Sequence, residues 1–145
     1  MLNAKQKGNL TELQCIASFY ELGYSISIPY GENNRYDFIA DVGGKLLKIQ
    51  CKTSRLIDDD NSSGAFEFNT ASTRINSQGS IRIKYDKEQI DYFATYYNGK
   101  CYLVPVEECG VCSKKIRFVP PKSGQKIGIT FAHDCELEKV LGGIK

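Results

Sequence analysis

The feature that most constrains the fold of this chain is a pair of strand-like segments separated by two glycines. Residues 36–42 and 45–53 are rich in aromatic, β-branched and leucine side chains, and the Gly-Gly pair at 43–44 is a tight-turn signal. The sequence therefore predicts a β-hairpin here. Asp37 and Gln50 lie at equivalent distances from the turn, so we expect them to be near-opposite neighbours on the two strands.

The remaining elements are predicted from apolar periodicity and turn residues. Residues 9–22 have apolar side chains at helical spacing, and Asn9 with Glu12 three residues later has the form of a capping box. Short strands are predicted at residues 25–28, 65–68, 92–97 and 101–106, a short helix at 86–91, a polar loop at 57–64 and an exposed, mobile loop at 69–79. This order indicates an α/β or α+β domain in which a mixed sheet is flanked by helices.

Length and composition are those of an ordinary globular domain. The chain has 145 residues, 41% of them hydrophobic and 25% charged, which is enough for one core. The net charge of +2 identifies no partner, but residues 114–126 contain five basic residues and no acidic one. We expect a core at residues 1–108 and a basic C-terminal extension at 109–145 packed on the same domain.

The cysteines and the N-terminus bear on location. No apolar run approaches membrane-spanning length and no signal-peptide core is present, so we expect an intracellular protein that is not secreted and has no membrane partner. In a reducing compartment the six cysteines are thiols or metal ligands. The spacing of one group is compatible with a structural Zn²⁺ site, although a lone C-x-x-C near a hairpin can also be incidental: Cys109, Cys112, His133 and Cys135.

The long hairpin also carries the residues with chemical potential. Gln50 and Lys52 are two residues apart, so both side chains leave the same face of the strand, where Asp37 meets them. Such oxygen ligands suit a hard cation like Mg²⁺, which keeps waters for a substrate phosphate, and Lys52 would position a water or stabilise charge on the phosphate. The alternative is a cross-strand ion pair between Asp37 and Lys52 beside a polar Gln50.

The motifs of this hairpin and their order carry a family resemblance. The segment Asn-Asn-Arg-Tyr-Asp at 33–37, followed by Gln-Cys-Lys-Thr at 50–53, resembles the PD-(D/E)XK nuclease superfamily, over roughly residues 8–106. The similarity is greatest to the compact branch that includes group I intron homing endonucleases and relatives of archaeal Holliday-junction resolvases. Two positions depart from the family pattern, because Tyr36 replaces a proline and Gln50, a neutral amide, replaces an acid.

The resemblance implies a restriction-endonuclease-like α/β fold and a metal-dependent, site-specific homing endonuclease that makes a double-strand break in DNA. It implies Mg²⁺ or Mn²⁺ as cofactor, catalytic roles for Asp37, Gln50, Lys52 and Glu12, and metal ligation by Asp37, Gln50, Glu12 and the Cys51 backbone carbonyl. One catalytic centre per chain implies a homo-oligomer, dimer or tetramer, on double-stranded DNA. A junction-resolving, repair or restriction-type nuclease, and a catalytically decayed DNA-binding module, are the alternatives.

A nuclease needs contacts to phosphates for affinity and to base edges for specificity. Basic and short polar residues near the motif and in the polar segment 69–79 are the candidates: Arg35, Thr53, Arg55, Arg74, Asn76, Gln78, Arg82 and Lys84. For the polar segment the alternative is a solvated loop. Residues 114–126 are either a second DNA-facing patch or a solvated face.

Overall fold

The structure, a computed structural model, describes residues 1–57 and 64–144. Its helices are α1, Ala4–Glu21, and α2, Leu137–Gly142. Its strands are β1 Ser25–Ser27, β2 Phe38–Val42, β3 Lys45–Cys51, β4 Arg55–Ile57, β5 Ala65–Asn69, β6 Ala71–Asn76, β7 Gly79–Lys84, β8 Tyr92–Tyr97, β9 Lys100–Pro105 and β10 Ser113–Arg117. Most of the predicted polar loop at 57–64 lies outside the described residues.

The central sheet has the strand order β1-β2-β3-β8-β9 and is mixed, because β3 and β8 run parallel while the other neighbours are antiparallel. The predicted hairpin is confirmed, with Phe38 paired to Ile49. Asp37 precedes Phe38 and Gln50 follows Ile49, so this register brings the two residues side by side, as the symmetric count from the turn predicted. The second hairpin, β8–β9, is confirmed as well.

The N-cap of helix α1 lies six residues before the predicted one. Asn3 is the N-cap, its side chain accepts a hydrogen bond from the Gln6 backbone, and the Gln6 side chain accepts one from the Asn3 backbone. The predicted capping box of Asn9 and Glu12 is therefore wrong. The extra turn forms because alanine, lysine and glutamine at positions 4–6 favour helix and the Asn3 cap satisfies backbone donors. Glu12 is thus free of any capping role.

Residues 69–79 are not the predicted loop, because β6 and β7 form a two-stranded hairpin. Their paired positions run from Ala71 with Lys84 to Asn76 with Gly79, and the Asn76 side chain accepts the Gln78 backbone N–H in the turn. The β-branched residues of this segment, interleaved with polar ones, favour strand over loop. The low apolar content that suggested a loop reflects a hairpin exposed on most of its surface.

The helix predicted at residues 86–91 is also absent. The segment forms a single turn, in which the Asp86 carboxylate accepts the backbone N–H groups of Glu88 and Gln89. Asp91 leaves the turn to join the sheet, because its backbone N–H donates to the Lys48 carbonyl and its carboxylate accepts the Lys48 N–H, each at 2.8 Å. Helix continuation would break both of these bonds to β3.

Two apolar cores lie on opposite sides of the central sheet. One contains buried side chains of both helices, including Phe19 and Leu141. The other lies against the three-stranded sheet β10-β5-β4 and includes Phe66 and Phe93. The predicted α/β arrangement with a central mixed sheet is confirmed. Within residues 1–57 and 64–144, neither helix combines the length and apolar character that a membrane crossing requires.

Candidate active site

Asp37 is fixed at the point where β2 meets the end of β3. Its backbone N–H donates to the Ile49 carbonyl at 2.7 Å, and its carboxylate oxygen Oδ2 accepts the Cys51 backbone N–H at 2.7 Å. The Asp37 side chain is half-buried. The carboxylate therefore keeps a defined orientation in a partly desolvated position, with one oxygen bound to the β3 backbone.

A second carboxylate, that of Glu12, lies near Asp37. Burial raises the pKa of Asp37, while the Cys51 N–H and the Lys52 charge act in the opposite direction. Burial also raises the pKa of Glu12, and the nearby negative charge of Asp37 raises it further. The structure therefore brings Glu12, from the middle of α1, into electrostatic contact with Asp37. Two neighbouring carboxylates whose pKa values are both raised, at a partly buried site, are typical of a cation-binding or catalytic position.

Neutral oxygens complete the donor set beside the two carboxylates. Gln50 is half-buried, and its amide lies 3.4 Å from the Cys51 carbonyl through the atom assigned as Nε2. Rotating the amide by half a turn would present Oε1 on that side instead. Among residues 1–57 and 64–144, no cluster of three or more His, Cys, Asp and Glu side chains is arranged to hold a metal ion. Two carboxylates, a side-chain amide and a backbone carbonyl offer oxygen atoms, the ligands that a hard divalent cation prefers.

Lys52 lies beside these oxygen atoms and forms no ion pair with another residue of 1–57 or 64–144. Its backbone N–H donates to the Ala94 carbonyl at 2.9 Å, which ties the end of β3 to β8. Its ammonium Nζ lies 3.5 Å from the Ala71 carbonyl and 5.0 Å from the centre of the Tyr85 ring. The ion pairs of the described residues include neither Lys52 nor Asp37. The structure therefore does not support the alternative of a cross-strand ion pair.

Two residues near the site were missed by sequence reasoning. Thr11 is buried and its hydroxyl lies 3.3 Å from that of Thr53, so it joins α1 to the segment after β3 and places the neighbouring Glu12. The sequence did contain a signal for Thr11, because it is a polar residue on the helix face that otherwise buries Cys15 and Phe19. No sequence pattern indicated that Tyr85 would lie under the ammonium of Lys52.

The predicted DNA-binding residues fall into two groups. Five of them have side-chain hydrogen-bond partners within the protein: Arg35 with Ser72, Gln89 and two carbonyls, Arg55 with Glu67 and Asn69, Arg82 with the Cys112 carbonyl, Asn76 within its turn, and Thr53 with Thr11. The exposed members include Thr53, Arg74, Gln78 and Lys84. Residues 68–85 contain no acid, so the β6–β7 hairpin is a projecting basic element.

The four residues predicted as a zinc site are not brought together as one. Burial raises the pKa of Cys109 to about 12 and that of Cys135 to about 12, and their thiols face the Pro105 and Phe131 carbonyls. Cys112 and His133 are exposed. Because thiolates are the zinc ligands and these buried thiols resist ionisation, the described residues give the zinc prediction no support.

The raised pKa values make a prediction about stability in the absence of divalent cations. An acid whose pKa is higher in the folded than in the unfolded state binds more protons when folded, so stability falls as pH rises from about pH 4 towards pH 7. We expect Asp37→Asn and Glu12→Gln to raise the melting temperature at neutral pH by a few degrees and to have little effect at acidic pH. Thermal unfolding across this range with a chelator present measures the effect. A variant that is less stable than wild type at neutral pH would contradict it.

Comparisons with known proteins identify a similar solved structure and a matching family. A search of curated proteins finds no match. Among solved structures, the bacterial homing endonuclease I-Ssp6803I is similar to this chain with a TM-score of 0.77 and 21% sequence identity, covering 97% of this chain and 93% of the other. At this identity the likeness establishes the shared fold. The family described as PD-(D/E)XK endonuclease matches residues 2–138, which is nearly the whole sequence. The chain therefore belongs to the PD-(D/E)XK endonuclease family.

Proposed function

We propose that this protein is a metal-dependent, site-specific DNA endonuclease of the homing type that makes a double-strand break. The observation that carries the proposal is the convergence of Asp37, Glu12, Gln50 and the Cys51 carbonyl at the end of β3, beside the ammonium of Lys52. Nucleases of this family generally use divalent cations such as Mg²⁺. The bacterial homing endonuclease of the same fold makes double-stranded DNA the first substrate to test.

Each residue has a distinct task in this proposal. The two carboxylates, the Gln50 amide oxygen and the Cys51 carbonyl hold Mg²⁺ or Mn²⁺, which when bound polarises a phosphoryl oxygen and lowers the pKa of a water. Lys52 donates hydrogen bonds to a non-bridging oxygen of the scissile phosphate and stabilises the charge that builds there. Water adds to phosphorus, the bond to one ester oxygen breaks, and that oxygen takes up a proton.

The β6–β7 hairpin is the DNA-reading element of the proposal. The major groove of B-DNA admits a two-stranded ribbon, and Arg side chains favour guanine edges. Arg74, Gln78 and Lys84 are exposed on this hairpin, and so are Asn76, which accepts the Gln78 N–H in the turn, and Arg82, whose contact with the Cys112 carbonyl is long, at 3.5 Å. Arg35 and Arg55 are assigned to internal roles instead, because each is already engaged by several protein groups.

Cutting both strands requires two catalytic centres, so we propose that the protein acts as a homo-oligomer with at least two copies. Two-fold symmetry then favours a roughly palindromic target. A second candidate function, a decayed DNA-binding module, is favoured by the neutral Gln50 at the acidic position of the motif. Junction-resolving, repair and restriction-type activities are further outcomes of the same test.

The test begins with selection of bound duplexes from a random-sequence DNA library, followed by incubation of the selected site, in a supercoiled plasmid, with protein and Mg²⁺ or Mn²⁺. We expect linear plasmid cut at the selected site. Binding without cutting by wild-type protein would favour the decayed module. Selective cutting of a four-way junction over the plasmid would replace the homing proposal by a junction-resolving one.

Cation binding has a readout that is independent of cleavage. A ligand that binds only the folded state raises the melting temperature, by an amount that grows with its concentration. We therefore expect Mg²⁺ and Mn²⁺ to stabilise the wild-type protein, and Gln50→Glu to increase this stabilisation because the site gains a negative charge. Asp37→Asn should lose it. Equal thermal shifts in wild type and Asp37→Asn would contradict the assigned ligands.

A further inference from the structure

Tyr85, the first residue after β7, has two cationic side chains over its ring. The guanidinium carbon of Arg35 lies 3.7 Å from the ring centroid, and Nζ of Lys52 lies 5.0 Å from it. The residue is buried, with 5% of its surface exposed. Attraction of a cation to an aromatic face is strongest where water is excluded, so both contacts lie in a favourable setting.

The Tyr85 ring is itself held by its surroundings. Phe93 of the central sheet meets it edge to face with a centroid distance of 5.3 Å. Arg35 reaches past the ring to the Ser72 hydroxyl at 3.0 Å and to the Gln89 amide oxygen at 3.1 Å. The ring therefore has one position, fixed by the central sheet and by the base of the β6–β7 hairpin.

Lys52 depends on this ring for its own placement. Its four-carbon side chain has many rotamers, and the only other contact of its ammonium in residues 1–57 and 64–144 is the long one of 3.5 Å to the Ala71 carbonyl. Ala71 begins β6 and Tyr85 follows β7, so both contacts come from the base of the same hairpin. We propose that Tyr85 is a positioning residue that holds the Lys52 ammonium at the scissile phosphate. The inference rests on the proposed function.

The test compares three variants in single-turnover cleavage of the selected duplex. Tyr85→Leu removes the ring, Tyr85→Phe retains it, and Phe68→Leu truncates another buried aromatic residue of the same core, one with no cation–π contact to Lys52 among the described residues. We expect Tyr85→Leu to slow cleavage by about tenfold or more with little change in DNA affinity, because a misplaced catalytic group costs rate rather than binding. Tyr85→Phe should keep most of the rate. Equal slowing by Tyr85→Leu and Phe68→Leu would overturn the proposal.

A second readout requires no cleavage. The ring current of Tyr85 should shift the ε-methylene protons of Lys52 in NMR spectra of lysine-labelled protein without DNA, and the signal is assigned by its loss in Lys52→Arg. We expect the shift in wild type and Tyr85→Phe and its disappearance in Tyr85→Leu. An unchanged shift in Tyr85→Leu would refute the positioning role. A wild-type protein that shows the shift but never cuts DNA would support the contact between Tyr85 and Lys52 and contradict the proposed function.

Discussion

Replacement of Asp37 by asparagine is expected to abolish DNA cleavage while the fold and DNA binding remain. Asparagine keeps a side-chain oxygen that can accept the Cys51 backbone N–H, so the end of β3 retains its support. What is lost is one of two carboxylate charges at a site whose other oxygens are neutral. We expect the single-turnover rate to fall by about a thousandfold or more, since a divalent cation contributes several kcal/mol to such a reaction.

Asp41→Asn is the control for this change. Asp41 lies on β2, four residues after Asp37, and its carboxylate also accepts a backbone N–H, that of Gly44 at 2.9 Å. It is exposed and far along β2 from the site. Asp41→Asn should cut like wild type. Comparable losses in both variants, or full activity in Asp37→Asn, would show that the hairpin carboxylate is not a catalytic ligand.

Removal of the Lys52 charge is the second large effect. Lys52→Met keeps the length and apolar stem of the side chain but removes the hydrogen-bond donor and the positive charge. Because the ammonium stabilises charge that develops only during reaction, we expect the cleavage rate to fall by about a hundredfold, with a small effect on the affinity for DNA. Single-turnover rates and direct binding measurements on the selected duplex separate the two quantities.

Lys48→Met provides the matched comparison. Lys48 lies four residues earlier on the same face of β3, and its ammonium donates to the Glu88 carbonyl instead of facing the site. If the cleavage rate depended only on the positive charge in this part of the chain, Lys48→Met and Lys52→Met would be slowed alike. If the Lys52 ammonium is the catalytic hydrogen-bond donor, only Lys52→Met is slowed. Lys52→Arg should fall between wild type and Lys52→Met, because it retains the charge in a bulkier, planar group.

The site could be predicted in part because its geometry is mostly local. A Gly-Gly turn sets the register of the flanking strands, and the two-residue period of a strand places Gln50 and Lys52 on one face. Glu12 was harder to assign, since Asn9 and Glu12 satisfy the pattern of a capping box. The structure places the N-cap at Asn3, so Glu12 is not part of a capping box.

The sequence by itself determined the β2–β3 hairpin and the approach of Asp37 to Gln50, because turn residues and strand alternation act over a few neighbouring positions. The family was indicated by the resemblance of an ordered set of motifs, from 33–37 to 50–53 and beyond. The tertiary structure decided what distant segments do. Arg35 is held within the protein because Ser72, 37 residues away, and Tyr85 lie beside it. The polar segment at 69–79 became a strand pair because its partner strand continues to Tyr85, whose burial against Phe93 fixes the base of the hairpin. Such contacts depend on packing between elements, which no local pattern encodes.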